Sequence, residues 1–322
     1  MKSHFAILLF LASALPGWSE TSGLSAERIV LSNGTLRAEI APEWAGRLVF
    51  LGRPCGANAL WVNPRVLDNV PVPHESGRRV WPNYGGNKTW VGETEAAWPG
   101  FQEPPSDASW PPPVWFDAAP LAVIHADATT ALLRSGFHTN ATLGWAVALE
   151  REFTLLADRL LLRERIIDFS HGERKEHKDF ASSATPDDPR RVWSNTQIPF
   201  TPHVAIRKSG EGRERLLRGC PAPVPRGGGS TWADLDLSNA PKHARIDADG
   251  DALAAEIHGV GWLLIEQSAP DRCLGAFATP SRAIVYTIGG AAANPFVELE
   301  FVALGPDAEQ TIVFRLLDTM PQ

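Results

Sequence analysis

The sequence predicts an all-β protein: a large antiparallel sandwich of two sheets, with few or no helices. Three observations carry this. Short runs rich in Val, Ile, Leu and aromatic residues recur along the chain, and Gly, Asn, Asp and Pro bound them. No segment with convincing helical periodicity lies between the runs, which argues against parallel βαβ architectures. The 322 residues are 44% apolar and 21% charged, a globular mixture with enough apolar material for a sizeable core.

At the start, Lys2 and His4 precede an apolar run over residues 5–15, followed by Pro16, Gly17, Trp18 and Ser19. A charged start, a short apolar stretch and small residues before a cut after Ser19 read as a secretory signal peptide, residues 1–19. The run is shorter than the ~20 apolar residues that cross a bilayer. No later segment reaches that length, so no membrane span is expected after cleavage. Residues 20–322 are expected to form a single domain, periplasmic or secreted. Export permits disulfides; Cys55, Cys220 and Cys273 are odd in number, so at most one internal pair can form.

The strands follow in order. Residues 29–31 and 35–40 flank Ser32-Asn33-Gly34, a hairpin signal, and Leu36, Ala38 and Ile40 share one side. Residues 47–51 form a third strand. Residues 145–155 place Trp145, Val147, Leu149, Phe153 and Leu155 on one face, and residues 159–169 return as a hairpin partner after Ala157-Asp158. Arg151 sits on that apolar stripe, either as an exception near the strand end or as a buried group with a carboxylate partner. Further strands are expected at 192–198, 204–207, 252–257, 261–266, 273–278, 283–288, 296–303 and 310–317. Asp249-Gly250 and Gly289-Gly290 read as turns. Two segments break the pattern. Residues 81–115 hold five of the twelve tryptophans together with a run of prolines, and are expected to be a long structured loop. Residues 170–190 are strongly polar and read as an exposed loop.

Net charge is −7 and the isoelectric point is near 5.7, a balance that argues against a nucleic-acid partner. The nine histidines show no metal-ligand spacing, and neither a metal nor a cofactor is expected. Gly85-Gly86-Asn87-Lys88-Thr89 ends like a phosphate loop but lacks the spaced first glycine, and no helix follows.

Three segments carry chemistry. The first is the tryptophan-rich loop, where Trp90 offers a flat apolar face and Asn87 and Lys88 add donors; the alternative is that these rings wedge the loop onto the sandwich. The second is the run 296–302. Side chains alternate along a strand, so Glu298 and Glu300 face one way while Val297, Leu299 and Phe301 face the other. Neighbouring carboxylates repel, which suits one of them to hold a proton near neutrality; the alternative is a solvated outer face. The third is the run 192–198, in which Trp193, Asn195 and Gln197 share a face suited to polyols; the alternative is a buried amide ladder. Among the histidines, His203 at a strand start is placed to enter a cleft.

Ala45-Gly46-Arg47-Leu48, Ala59-Leu60-Trp61-Val62-Asn63-Pro64, Gly85-Gly86-Asn87-Lys88-Thr89-Trp90, Trp110-Pro111-Pro112-Pro113, Val192-Trp193-Ser194-Asn195-Thr196-Gln197 and Val297-Glu298-Leu299-Glu300 occur in this order across most of the chain. Together they resemble the galactose-mutarotase-like β-supersandwich superfamily, and most nearly an uncharacterised bacterial branch of it. The resemblance implies a two-sheet sandwich whose concave face binds carbohydrate. It also implies a glutamate base near the C-terminus, here Glu298 or Glu300, and a mid-chain histidine acid. The segment equivalent to that histidine carries Gln197, which cannot donate and recover a proton at neutral pH, so His203 or another group would have to act instead. The substrate-binding residues are expected to be Arg47, Asn87, Lys88, Trp90, Trp193 and Gln197, with Trp90 stacking the sugar ring and Asn87, Lys88 and Gln197 orienting hydroxyls or a carboxylate. The expected function is that of a carbohydrate-binding protein, with aldose 1-epimerase-like action on a free sugar or sugar acid. The alternative is a non-catalytic carbohydrate-binding or structural envelope protein.

Overall fold

The computed structural model describes residues 27–64, 83–92, 98, 110, 112–140, 145–168, 192–208, 214–217, 224–226, 230–241, 243–268, 282–288, 295–302 and 309–322. Residues 1–19, expected to be a signal peptide, the polar stretch 170–190, the strand expected at 273–278, Gly289-Gly290, Cys220 and Cys273 lie outside the described residues. Cys55 is a free, exposed thiol.

The described chain is almost entirely strand, and its strands, numbered along the chain, fall into two antiparallel sheets. In spatial order the first sheet runs β1 (Ile29–Ser32), β2 (Arg37–Ala41), β3 (Arg47–Gly52), β4 (Asn87–Val91), β10 (Val192–Pro199), β18 (Phe296–Val302), β17 (Arg282–Ile288), the first half of β15 (Arg245–Ile257) and β12 (Glu214–Leu217). The second runs β13 (Val224–Pro225), β14 (Trp232–Asp236), β11 (His203–Lys208), the second half of β15, β16 (Gly261–Ser268), β19 (Glu309–Leu317), β9 (Leu160–Asp168) and β8 (Trp145–Leu155). Beyond β8 lie β7 (His138–Asn140) and β6 (Thr130–Arg134), with β5 (Ala122–Ala126) paired to β6. One short helix, α1 (Val114–Asp117), and a 3-10 turn over Pro42–Trp44 complete the described elements. No helix among the described residues is long and apolar enough to cross a membrane.

Strand β15 joins the sheets. Residues 245–249 pair with β17 in the first sheet, and residues 252–257 pair with β16 in the second. Asp249-Gly250, expected as a turn, is instead the corner inside this one strand. A Cβ on Gly250 would lie 2.8 Å from the carbonyl oxygen of Arg207, so the crossing strands approach closely only because glycine has no side chain. Glycine there marks a sheet change, where sequence reading assigns it to a reversal.

The inward faces of both sheets close one core. Leu48, Leu51, Val297, Leu299 and Phe301 from the first sheet meet Phe153, Leu162, Leu263 and Phe314 from the second. Each such side chain contributes roughly 1.5–3 kcal/mol by leaving water. The segment expected as a continuous loop over 81–115 contains β4 and the start of α1. Strand β4 is wholly buried between β3 and β10, so its tryptophan and lysine belong to the middle of a sheet.

Candidate functional site

Register sets the site. Across β4, β10 and β18, Trp193 stands opposite Trp90, Asn195 opposite both Lys88 and Glu300, and Gln197 opposite Glu298; on the next strand Tyr286 stands opposite Glu298. Directly opposed residues share a face and neighbours along a strand alternate. These eight side chains therefore occupy the face turned away from the second sheet, while Val297, Leu299 and Phe301 point into the core.

Polar contacts bind that face into one network. Lys88 Nζ lies 3.6 Å from Glu298 Oε1 and 4.1 Å from the centre of the Trp90 ring. Gln197 Nε2 donates to Glu298 Oε1. Asn195 Nδ2 donates to Glu300 Oε1 at 3.0 Å, and Trp193 Nε1 to Glu300 Oε2 at 3.1 Å. Trp90 Nε1 donates to Asp117 Oδ1 at 2.8 Å, where Arg47 Nη2 also donates at 2.8 Å. A second Arg47 nitrogen donates to the Gly85 carbonyl at 3.0 Å. Gly85 has φ +84°, and a Cβ there would lie 2.5 Å from the Trp61 carbonyl oxygen; glycine lets the chain enter β4 at this close approach.

All of these polar groups are buried, which excludes a solvated outer face for Glu298 and Glu300. Burial, reinforced by the charge of Glu298, pushes the Glu300 carboxyl up to about 8, so it holds its proton at neutral pH. Burial pulls the Lys88 ammonium down to about 8, against the pull of Glu298 and Asp117. Both amides give their NH2 groups to the glutamates, yet Asn195 Oδ1 and Gln197 Oε1 have no hydrogen-bond partner. Two buried acceptors thus stand beside two carboxyl groups, and a ligand's hydroxyl donors would satisfy them. Among the described residues no cluster of His, Cys, Asp and Glu could hold a metal ion.

Trp90 packs edge-on against Trp98 and Trp193 with ring centres 5.1 and 4.9 Å away. Its ring carries Lys88, and Trp110, 46% exposed, is the open ring of the group, 6.2 Å from Trp90. The rings of Trp90, Trp98 and Trp193 are buried as the packing alternative expected, while that of Trp110 is exposed.

Two residues expected in the site are elsewhere. Asn87 precedes Lys88 in the same strand and so points the opposite way, between the sheets. Its Nδ2 donates to Ser194 Oγ and Thr196 Oγ1, both at 3.0 Å, and its Oδ1 accepts from Arg151. His203 begins β11, which belongs to the second sheet. It lines a separate hollow of about 280 Å³ with Arg226, Asp234, Asp236, Glu256 and Trp262. The chain changes sheets between β10 and β11, which carries His203 away from Glu298.

Behind the site, Arg151 is a buried group with a carboxylate partner. Its guanidinium lies 3.4 Å from Glu164 Oε1 and donates to the Gly46 carbonyl at 2.7 Å. Glu164 also accepts from Thr89 Oγ1 and, at 2.8 Å, from Gln310 Nε2. Burial raises Glu164 and lowers Arg151 to about 10. This cluster ties β4 and β10 to the second sheet.

Sequence reading missed Asp117, Tyr286 and His243. The alternation in the run 283–288 could have placed Tyr286 on a face, but nothing local announces its register opposite Glu298. His243 Nδ1 lies 2.6 Å from Tyr286 Oη.

Scanning protein-family models and searching curated proteins gave no match to the chain. Solved structures do match its fold. A putative aldose 1-epimerase from Escherichia coli K12 is 13% identical with a TM-score of 0.52, over 90% of this chain and 99% of that one. A galactose mutarotase-like protein from Lactobacillus casei ATCC 334 is 10% identical with a TM-score of 0.53, over 90% and 99%. A galactose mutarotase related enzyme from Lactobacillus acidophilus is 8% identical with a TM-score of 0.52, over 91% and 98%. The chain has the galactose-mutarotase-like β-sandwich fold, as its sequence motifs led one to expect.

Proposed function

We propose that this chain binds carbohydrate on the outer face of β4, β10 and β18, and acts there as an aldose 1-epimerase-like catalyst on a free sugar or sugar acid. The observation that carries the reading is the buried carboxylate of Glu298, held by Lys88 and Gln197 beside the unpartnered amide oxygens of Asn195 and Gln197. Sugar hydroxyls are the donors such acceptors need. The names of the fold neighbours support the same chemistry, while a shared fold alone does not assign it.

In this reading Glu298 takes the proton from the anomeric hydroxyl. The lone pair left on that oxygen forms the aldehyde C=O, the bond from C1 to the ring oxygen breaks, and the ring oxygen takes up a proton. Rotation about C1–C2 and the reverse transfers close the other anomer. Lys88 offers a cation to a sugar carboxylate or hydroxyl, Arg47 holds Asp117 in place behind Trp90, and Trp110 offers an open ring for stacking. Polarimetry on freshly dissolved aldoses and uronic acids tests the proposal. An excess rate over blank for at least one sugar is expected, and a flat result across a broad panel sinks the catalytic claim. Gln197, standing where the resemblance places an acid, favours a second reading: saturable sugar binding without turnover, which calorimetry would register while polarimetry stayed flat.

We also place the protein outside the cytoplasm, on the signal-like residues 1–19. Mass measurement of the exported protein should find Glu20 at its N-terminus.

A further inference from the structure

Epimerisation needs a proton donor for the ring oxygen as well as a base, and Gln197 cannot supply it. His203 lines a hollow on the other sheet. Glu300 has both oxygens occupied, Asn195 donating to one and Trp193 to the other. The structure brings a different pair to the base. Tyr286 stands directly opposite Glu298 in the β17–β18 ladder, so the two side chains share a face with Cβ atoms roughly 4.5–5.5 Å apart. Tyr286 and His243 are each half-buried, whereas Glu298 and Glu300 are closed off from solvent.

His243 is built into place. Its φ is +65°, a left-handed conformation that few residues other than glycine adopt, though histidine, asparagine and aspartate do so more often than the rest. Thr287, next to Tyr286, clamps the turn that holds it there. His243 N donates to the Thr287 carbonyl at 2.8 Å, Thr287 N donates to the Ala244 carbonyl at 2.9 Å, and Thr287 Oγ1 donates to the Pro241 carbonyl at 3.0 Å. Uncommon backbone persists where its surroundings over-determine it, and such positions cluster at functional sites. Here the clamp delivers one imidazole nitrogen to one phenol oxygen at 2.6 Å.

Resting on the epimerase-like reading above, we propose that Tyr286 is the catalytic acid that protonates the ring oxygen across from Glu298, and that His243 is its positioning residue. On opening, the anomeric hydroxyl proton passes to Glu298, the electrons of the C1–O bond go to the ring oxygen, and that oxygen takes the Tyr286 proton. A proton on His243 Nδ1, donated to the Tyr286 oxygen, stabilises the phenolate. Closure returns each proton to its origin, so no co-reactant is consumed.

The test compares Y286F and H243G with the unaltered protein on a sugar that it turns over. Y286F should lose at least a hundredfold in kcat while sugar affinity stays within threefold. H243G suits the left-handed backbone; it should lose about tenfold in kcat and regain activity with added imidazole. Y286F with kcat within threefold of the unaltered protein overturns the proposal and leaves the epimerase-like reading standing; so does an E300Q variant that loses turnover where Y286F does not. An unaltered protein with no turnover on any sugar overturns both. Should Y286F fail to fold, nitrogen-15 NMR of histidine-labelled unaltered protein decides: saturating sugar shifts the His243 Nδ1 resonance if the proposal holds, and an unmoved resonance overturns it.

Discussion

Strands β4 and β10 border a polar cluster on each face; in the inner one a donor, Arg151 Nε, is left without a partner, whereas on the outer face the groups left over include acceptors. Between the sheets, both oxygens of Glu164 are engaged by Arg151, Thr89 and Gln310, and Asn87 bridges Ser194, Thr196 and Arg151. On the outer face, Glu298 and Glu300 are as deeply buried, yet Asn195 and Gln197 keep bare carbonyl oxygens and Glu300 keeps a proton at neutral pH. Burial is therefore common to both clusters. The outer face is set apart by two amide oxygens left over after the protein has made its own bonds, and leaving such acceptors unmet costs free energy that hydroxyl donors recover.

Substitutions can break this contrast. The largest effect on folding is expected at the interior cluster. R151M leaves Glu164 buried without its cation and should cost about 3–5 kcal/mol, read from urea unfolding. On the outer face the largest effect should fall on catalysis. E298Q should lower turnover about 10²–10⁴-fold in polarimetry, and equal turnover by E298Q would remove Glu298 as the base.

The pH dependence of stability sharpens the comparison. The folded Glu300 binds its proton up to about 8, against an ordinary value of 4.5, so between those values the folded state holds more protons than the unfolded one. Its contribution is then fully present below 4.5 and lost as pH rises through about 8. Lys88 is displaced the other way, from 10.5 to about 8, and its penalty is relieved as pH rises from about 8 to 10.5. Urea midpoints should fall from pH 5 to pH 8 in the unaltered protein, and E300Q should flatten that fall. The smallest effect is expected at the rim, where W110A should weaken sugar affinity about 3–10-fold with turnover unchanged, matching the ~0.5–1.5 kcal/mol of an aromatic contact.

Much of the site is legible in the sequence as faces. Period-two alternation alone puts Glu298 with Glu300, and Trp193 with Asn195 and Gln197. It fails where the strand itself is hidden. The prolines and tryptophans around β4 argue for a loop, and without a strand there is no reason to send Asn87 and Lys88 to opposite faces. His203 does begin a strand, as its sequence context suggests, but whether that strand stays in its sheet depends on a crossover that local sequence does not mark. Asp249-Gly250 shows the reverse error, since a glycine needed for close approach looks the same in sequence as one needed for a turn.

By itself, then, the chain's amino-acid order determined that the protein is built of strands, that they bury one face, and which side chains travel together along each. Only the tertiary structure decided that Gln197 lies opposite Glu298, 101 residues away, and that Tyr286 and His243 join them. Side-chain alternation is a property of one strand's own backbone, whereas register between distant strands is selected by how whole sheets pack, and no local pattern encodes it.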